Sequence, residues 1–153
     1  MSEILLAGSE TRSGTMACLF LELAHNPRVR SKLLASLPPK DPHDLVDIVE
    51  RKTVRSSPEY RYLEACIKEN LRLHPIASEM GRRTGDQWIN FMGYDLPPHT
   101  VVSASYRDLH RDQRYWPEPL SLIPERWLPD DQRGDIPAAE ISTKSSARGT
   151  RSF

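Results

Sequence analysis

The chain has 153 residues, enough for one modest domain, and its 21 Lys+Arg cancel its 21 Asp+Glu. That balance excludes an overall field that would draw in nucleic acid or an anionic membrane. A hydrophobic content of 38% at mean hydropathy −0.57 limits the core, and 13 prolines, above the usual share of about 5%, predict many loops.

Ser2 to His25 reads as an apolar helix. Gly8 and Gly14 lie in its interior, where each costs about 1 kcal/mol against alanine. Two such residues predict close approach of another backbone or of a flat ligand. No basic n-region opens the sequence, so no signal peptide is expected in these residues. The longest uncharged run of the helix, Ser13 to Leu21, is nine residues, too short to span a bilayer, so no membrane anchor is expected in these residues. Asn26 and Pro27 read as the cap and first residue of a second helix, with Val29, Leu33, Leu34 and Leu37 inward and Pro38-Pro39 as its end. Residues 38–56 are mixed, with room for a short helix through Leu45, Ile48 and Val49. Ser57-Pro58 restarts a helix in which Leu63, Cys66, Ile67 and Leu71 recur at helical spacing. His74-Pro75 closes it, because the residue before proline disfavours helix.

From Gln87 the period changes. Ile89 and Phe91 alternate with polar residues, a turn follows at Gly93, and Thr100, Val101 and Val102 come after Pro97-Pro98, which predicts a small antiparallel ribbon. Residues 107–127 are charged and proline-punctuated, so side-chain contacts should order them. Residues 128–153 lack periodicity and read as loop or disorder. Cys18 and Cys66 sit in apolar helical patterns without a CxxC partner, and read as buried, reduced thiols.

Three segments carry chemistry. Lys68–Pro75 (KENLRLHP) puts Glu69 and Arg72 three apart on one helix face; alone, such a pair is a common surface feature. Residues 109–127 (LHRDQRYWPEPLSLIPERW) end in PERW. Residues 6–11 (LAGSET) pair an acid with an alcohol behind two small residues. In this order and at these separations, the three resemble the cytochrome P450 family, with wording nearest fungal members: the oxygen-activating stretch of the I helix, the K-helix ExxR and the PERF/PERW end of the meander. The resemblance runs continuously from residue 1 to about 128.

It implies a mainly α (α+β) fold, a partial P450 domain over 1–153. Residues 1–25 would be a truncated I helix, 26–75 the J and K helices, 86–104 the β-ribbon, 105–128 the meander, and 129–153 a loop approaching the haem-ligand site. Ala7 and Gly8 would lie over the haem face, leaving room for dioxygen. Glu10 and Thr11 would be the acid–alcohol pair that organises water and relays protons during O–O cleavage. Glu69, Arg72 and Arg126 would form a structural triad clamping the K helix to the meander, a task that suits the rigid guanidinium fork. Arg82 or Arg83 would meet a haem propionate, or the two form a solvated turn. Arg12 and His99 stand where the family commonly has a small hydroxyl residue and a glycine.

The family's haem loop has the form F-x-x-G-x-R-x-C. Gly149 and Arg151 match its glycine and basic residue, whereas Ser146 replaces phenylalanine and Phe153 stands at the cysteine position. Phenylalanine cannot ligate iron, so no metal ligand is expected in the chain; a tail out of frame from about Ser142 is the other reading. Two functions follow. The intact protein would be a haem-thiolate monooxygenase on the cytosolic face of the endoplasmic reticulum membrane, served by NADPH–cytochrome P450 reductase and acting on a hydrophobic small molecule. Alternatively, the chain is a catalytically inactive fragment, and Phe153 favours that for 1–153 alone.

Overall fold

The computed structural model describes residues 2–39, 57–77 and 79–134, with backbone alone for 2–7. The expected short helix near Ile48 and the haem-loop positions Gly149, Arg151 and Phe153 lie outside these residues.

Helix α1 (Ser2–His25) and helix α2 (Pro27–Ser36) form as the sequence predicts, with Pro27 at the first turn. The joint differs in one respect. Asn26 makes no side-chain cap to α2. Its Nδ2 donates backward to the Glu22 carbonyl (2.8 Å) and carboxylate (3.3 Å), closing the end of α1. Val29 and Leu33 are buried and Leu37 packs against the core, but Leu34 is 65% exposed.

A 3-10 turn at Pro58–Tyr60 leads into α3 (Arg61–Leu73). The buried stripe of α3 matches the expected one in part: Cys66 is in the core and Leu63 packs against it. Leu71 is 40% exposed, while Tyr62, Ala65, Cys66, Glu69, Asn70, Arg72 and Leu73 are buried. Three of these seven, Glu69, Asn70 and Arg72, are polar, so a reading based on apolar spacing misses them. Leu23, Val29, Leu33, Tyr62, Ala65, Cys66, Leu73, Leu122 and Leu128 build the core where α1, α2 and α3 meet the last part of the chain. Cys66 is fully buried, and burial pushes its thiol up to about 12. Cys18 is only half-buried.

Four strands follow among the described residues: β1 (Glu79–Arg83), β2 (Ile89–Phe91), β3 (Tyr94–Leu96) and β4 (Val101–Ser105). The single expected ribbon is two antiparallel pairs, β1 with β4 and β2 with β3. β1 (EMGRR) carries a glycine and three charged residues and has no alternating apolar pattern, so its pairing with β4 is a tertiary choice. Met92 (φ 53°) and Gly93 (φ 88°) form the tight β2–β3 turn, whose twist requires two left-handed residues.

His99 also sits at φ 62°, and its imidazole is half-exposed, 3.5 Å from Asp86. A left-handed conformation costs a side-chain-bearing residue about 1 kcal/mol, whereas a screened pair of this kind contributes little. His99→Gly is therefore expected to raise the thermal midpoint slightly, by the equivalent of about 0.5–1 kcal/mol.

Helix α4 (Tyr106–Leu109) starts on the Ser105 hydroxyl, which accepts from the Asp108 amide. A second 3-10 turn, Pro124–Trp127, is the PERW segment. The expected loop after Leu128 instead begins with a short helix, α5 (Asp130–Arg133). Arg133 holds it by donating to the Leu128 carbonyl and pairing with Asp130 at 2.8 Å. No described helix is long and apolar enough to cross a membrane.

Candidate functional site: a buried ion network between α3 and the PERW turn

Helical spacing places Glu69 and Arg72 on the inner face of α3, and the PERW turn brings Arg126 against them. All three are at most 3% exposed. Arg72 grips Glu69 with both prongs of its fork, Nε to Oε2 at 2.9 Å and Nη2 to Oε1 at 2.8 Å. Arg126 Nε reaches Oε1 at a looser 3.4 Å. Glu69 also accepts from the Ile123 amide (3.2 Å) and from Trp127 Nε1 (2.8 Å).

The remaining guanidinium protons of Arg72 are also used, and Arg126 makes one further bond. Arg72 donates to the carbonyls of His110 and Pro119, both at 2.7 Å, and of Ser121 at 3.2 Å. Arg126 Nη2 donates to the Glu118 carbonyl at 3.1 Å. Trp116 lies beside Arg72, 5.1 Å from guanidinium carbon to ring centre, and donates to the Leu109 carbonyl. Segment 109–127 has little regular structure, so these contacts are what fix its path. Burial lowers the pKa of Arg126, with Glu69 opposing the shift; guanidinium stays charged regardless. Burial and the charge of Arg72 push His110 below the usual imidazole range.

A second polar cluster was missed by the sequence reading. Glu125, 3% exposed, accepts from Lys32 Nζ (2.9 Å) and the Tyr62 hydroxyl (3.1 Å), with Arg28 at 3.8 Å. It ties α2 and α3 to the PERW turn next door to the triad. The only available signal was Arg28 and Lys32 four apart on α2, which reads as a solvated face. Burial pushes the Glu125 carboxyl upward. The Lys32 hydrogen bond, a backbone hydrogen bond, the Lys32 charge and Tyr62 outweigh it, so the net shift is downward.

A depressed folded-state value contributes stability that is complete above the unfolded carboxyl pKa of about 4.3 and is lost as pH falls through the lower folded value. Acid titration of the thermal midpoint should show this loss in wild type. Lys32→Ala should lose stability at a higher pH.

The other expected site residues lie apart from the network. Among the described residues, nothing lies within 4 Å of where a Cβ would stand on Gly8 or Gly14. Glu10 and Thr11 lie on an exposed part of α1, and the Ala7 side chain is not described. Glu10, Gly14 and Cys18 border a cavity of about 360 Å³ with His74, Arg107 and Arg111. Arg82 and Arg83 border an apolar groove of similar volume lined by Met80, Ile89, Phe91, Val102 and Ala104. The β1–β4 register puts Met80, Arg82, Val102 and Ala104 on one face, with Arg83 opposite Val101 on the other. An apolar wall with the Arg82 position on its own face fits a flat ring that carries a carboxylate.

Residues 1–146 match the family profile of cytochrome P450. The chain belongs to the cytochrome P450 family. It is 35% identical over 150 residues to a Drosophila melanogaster protein described as probable cytochrome P450 12a5, mitochondrial, covering 94% of this chain and 26% of that one. It is 39% identical over 126 residues to the Botryotinia fuckeliana cytochrome P450 monooxygenase BOT1, covering 82% and 24%. Corytuberine synthase of Coptis japonica is 33% identical, covering 81% and 24%. The chain thus spans about a quarter of the length of these relatives. The fold is a partial P450 fold of helices with a small β portion, and the cofactor that the family implies is haem.

Proposed function

We propose that this chain is part of a haem-thiolate monooxygenase that inserts oxygen into a hydrophobic small molecule, with α1 and α3 as its I and K helices. The observation that carries this is the buried Glu69–Arg72–Arg126 network in a chain matched to the family along most of its length. Haem, when bound, supplies the oxygen-activating chemistry. In this reading Ala7 and Gly8 leave space above the ring, and Arg82 or Arg83 neutralises a propionate. Glu10 and Thr11 hold water and pass protons inward. The network keeps the segment leading to the ligand loop in register with α3. NADPH–cytochrome P450 reductase is the proposed electron donor, and the endoplasmic reticulum membrane the proposed location.

The test is a carbon-monoxide difference spectrum of the reduced, complete gene product. The long-wavelength Soret band of a thiolate-ligated haem is expected. A second reading, an inactive remnant, takes Phe153 as standing in for the cysteine ligand, and it predicts no such band.

A further inference from the structure

Asn70, between the network residues Glu69 and Arg72, is fully buried and only half satisfied. Its Nδ2 donates 3.1 Å to the main-chain carbonyl of Thr15 in the middle of α1, while Oδ1 has no partner among the described residues. Turning the amide over would set two oxygens against each other, so this orientation follows from the chemistry. A buried acceptor left unpaired is destabilising, and a leucine of similar shape would remove the problem. An amide kept at that cost points to a task other than stability.

The carbonyl it holds is one turn beyond the acid–alcohol pair. Thr15 Oγ1 in turn donates to the Thr11 carbonyl at 2.8 Å, and Ser13 Oγ donates to the Glu10 carbonyl at 3.1 Å. Such back-bonding from hydroxyl side chains competes with the helix ladder and bends helices locally. A continuous path therefore runs from the ion network through Asn70 and Thr15 to the backbone of Thr11.

We propose that Asn70 is a positioning residue: through the Thr15 carbonyl and hydroxyl it sets the α1 backbone at Glu10 and Thr11, and so the geometry of proton delivery. This rests on the monooxygenase reading. One NADPH supplies two electrons, which with two protons carry oxygen only as far as hydrogen peroxide; two further electrons and two protons, delivered before the peroxide leaves, carry it to two waters, so misplaced proton donors raise the share lost as peroxide.

The test uses the complete gene product with NADPH, reductase and oxygen, and requires no identified substrate. The readouts are hydrogen peroxide formed per NADPH consumed, amide exchange over residues 9–19, and the thermal midpoint. Asn70→Leu should keep or raise the midpoint while speeding exchange in 9–19 about tenfold. It should also raise the peroxide ratio about twofold or more. Thr15→Val, which deletes only the hydroxyl, should move exchange and peroxide in the same direction. Val29→Ala, a core truncation in α2, should lower the midpoint and leave the peroxide ratio alone. The proposal is overturned if Asn70→Leu and Thr15→Val leave the peroxide ratio at the wild-type value, or if that ratio simply follows the midpoint across all variants. A wild-type protein without the thiolate-haem band overturns the monooxygenase reading, and this one with it. A wild-type protein with the band and unresponsive variants overturns only this one.

Discussion

Glu69→Ala is expected to cost about 3–5 kcal/mol, because it strands two guanidinium groups in a dry site. Glu69 is fully buried and accepts from Arg72, Arg126, the Ile123 amide and the Trp127 indole. Water cannot replace those bonds without opening the junction between α3 and the PERW turn. Glu69→Gln keeps the volume but loses the charge, and one of its two termini then offers protons to donors already in place. It should be nearly as damaging. Arg72→Lys should also fail to preserve stability, since a single ammonium cannot hold both carboxylate oxygens and the carbonyls of His110, Pro119 and Ser121. The contrast is Glu64→Ala one turn earlier. Glu64 pairs with Lys68 at 3.0 Å, but both side chains are about half exposed, and the expected loss is within about 0.5 kcal/mol. Urea midpoints of the four variants decide the matter. Equal losses at positions 64 and 69 would mean that the network does not hold the junction.

The residues of this network were legible in the sequence because they lie in segments with fixed spacing: Glu69 and Arg72 within one turn of helix, Arg126 within PERW. Their setting was not. Nothing in the spacing shows that the Ile123 amide and the Trp127 indole also converge on Glu69, or that Arg72 serves three carbonyls. Those contacts depend on the path of an irregular segment. Glu125 was missed for a related reason: charged residues on α2 and beside Arg126 read as solvated until packing buries one of them. The stripe expected on α3 holds at Cys66, which is buried, and at Leu63, which packs against the core, but Glu69, Asn70 and Arg72 share the inner face and Leu71 lies outside it. Helix ends fared better, since Pro27, Pro58 and Pro75 act through local sterics that tertiary packing does not override. Asn26 shows the limit of that rule: the helix boundary was right, but the side chain serves the helix before it.

Trp116→Ala should be comparably destabilising, by about 3–5 kcal/mol, through a different mechanism. The indole is 2% exposed, packs 5.9 Å from the Trp127 ring and 5.1 Å from the Arg72 guanidinium carbon, and donates to the Leu109 carbonyl at 3.1 Å. Truncation leaves a cavity against two arms of the ion network and orphans a carbonyl. Trp116→Phe retains most of the packing and a face for Arg72, so its loss should be nearer 1–2 kcal/mol, the cost of the missing N–H and the smaller ring. Because Trp116 and Glu69 both hold Arg72, the losses should not add. The double variant Glu69→Ala/Trp116→Ala is expected to fall short of the sum by about 1 kcal/mol or more. Full additivity in urea unfolding would mean that the aromatic packing and the ion pairs stabilise separate parts of the fold. A shortfall means that one junction, centred on Arg72, carries both, and that segment 109–127 is held as a unit against α3.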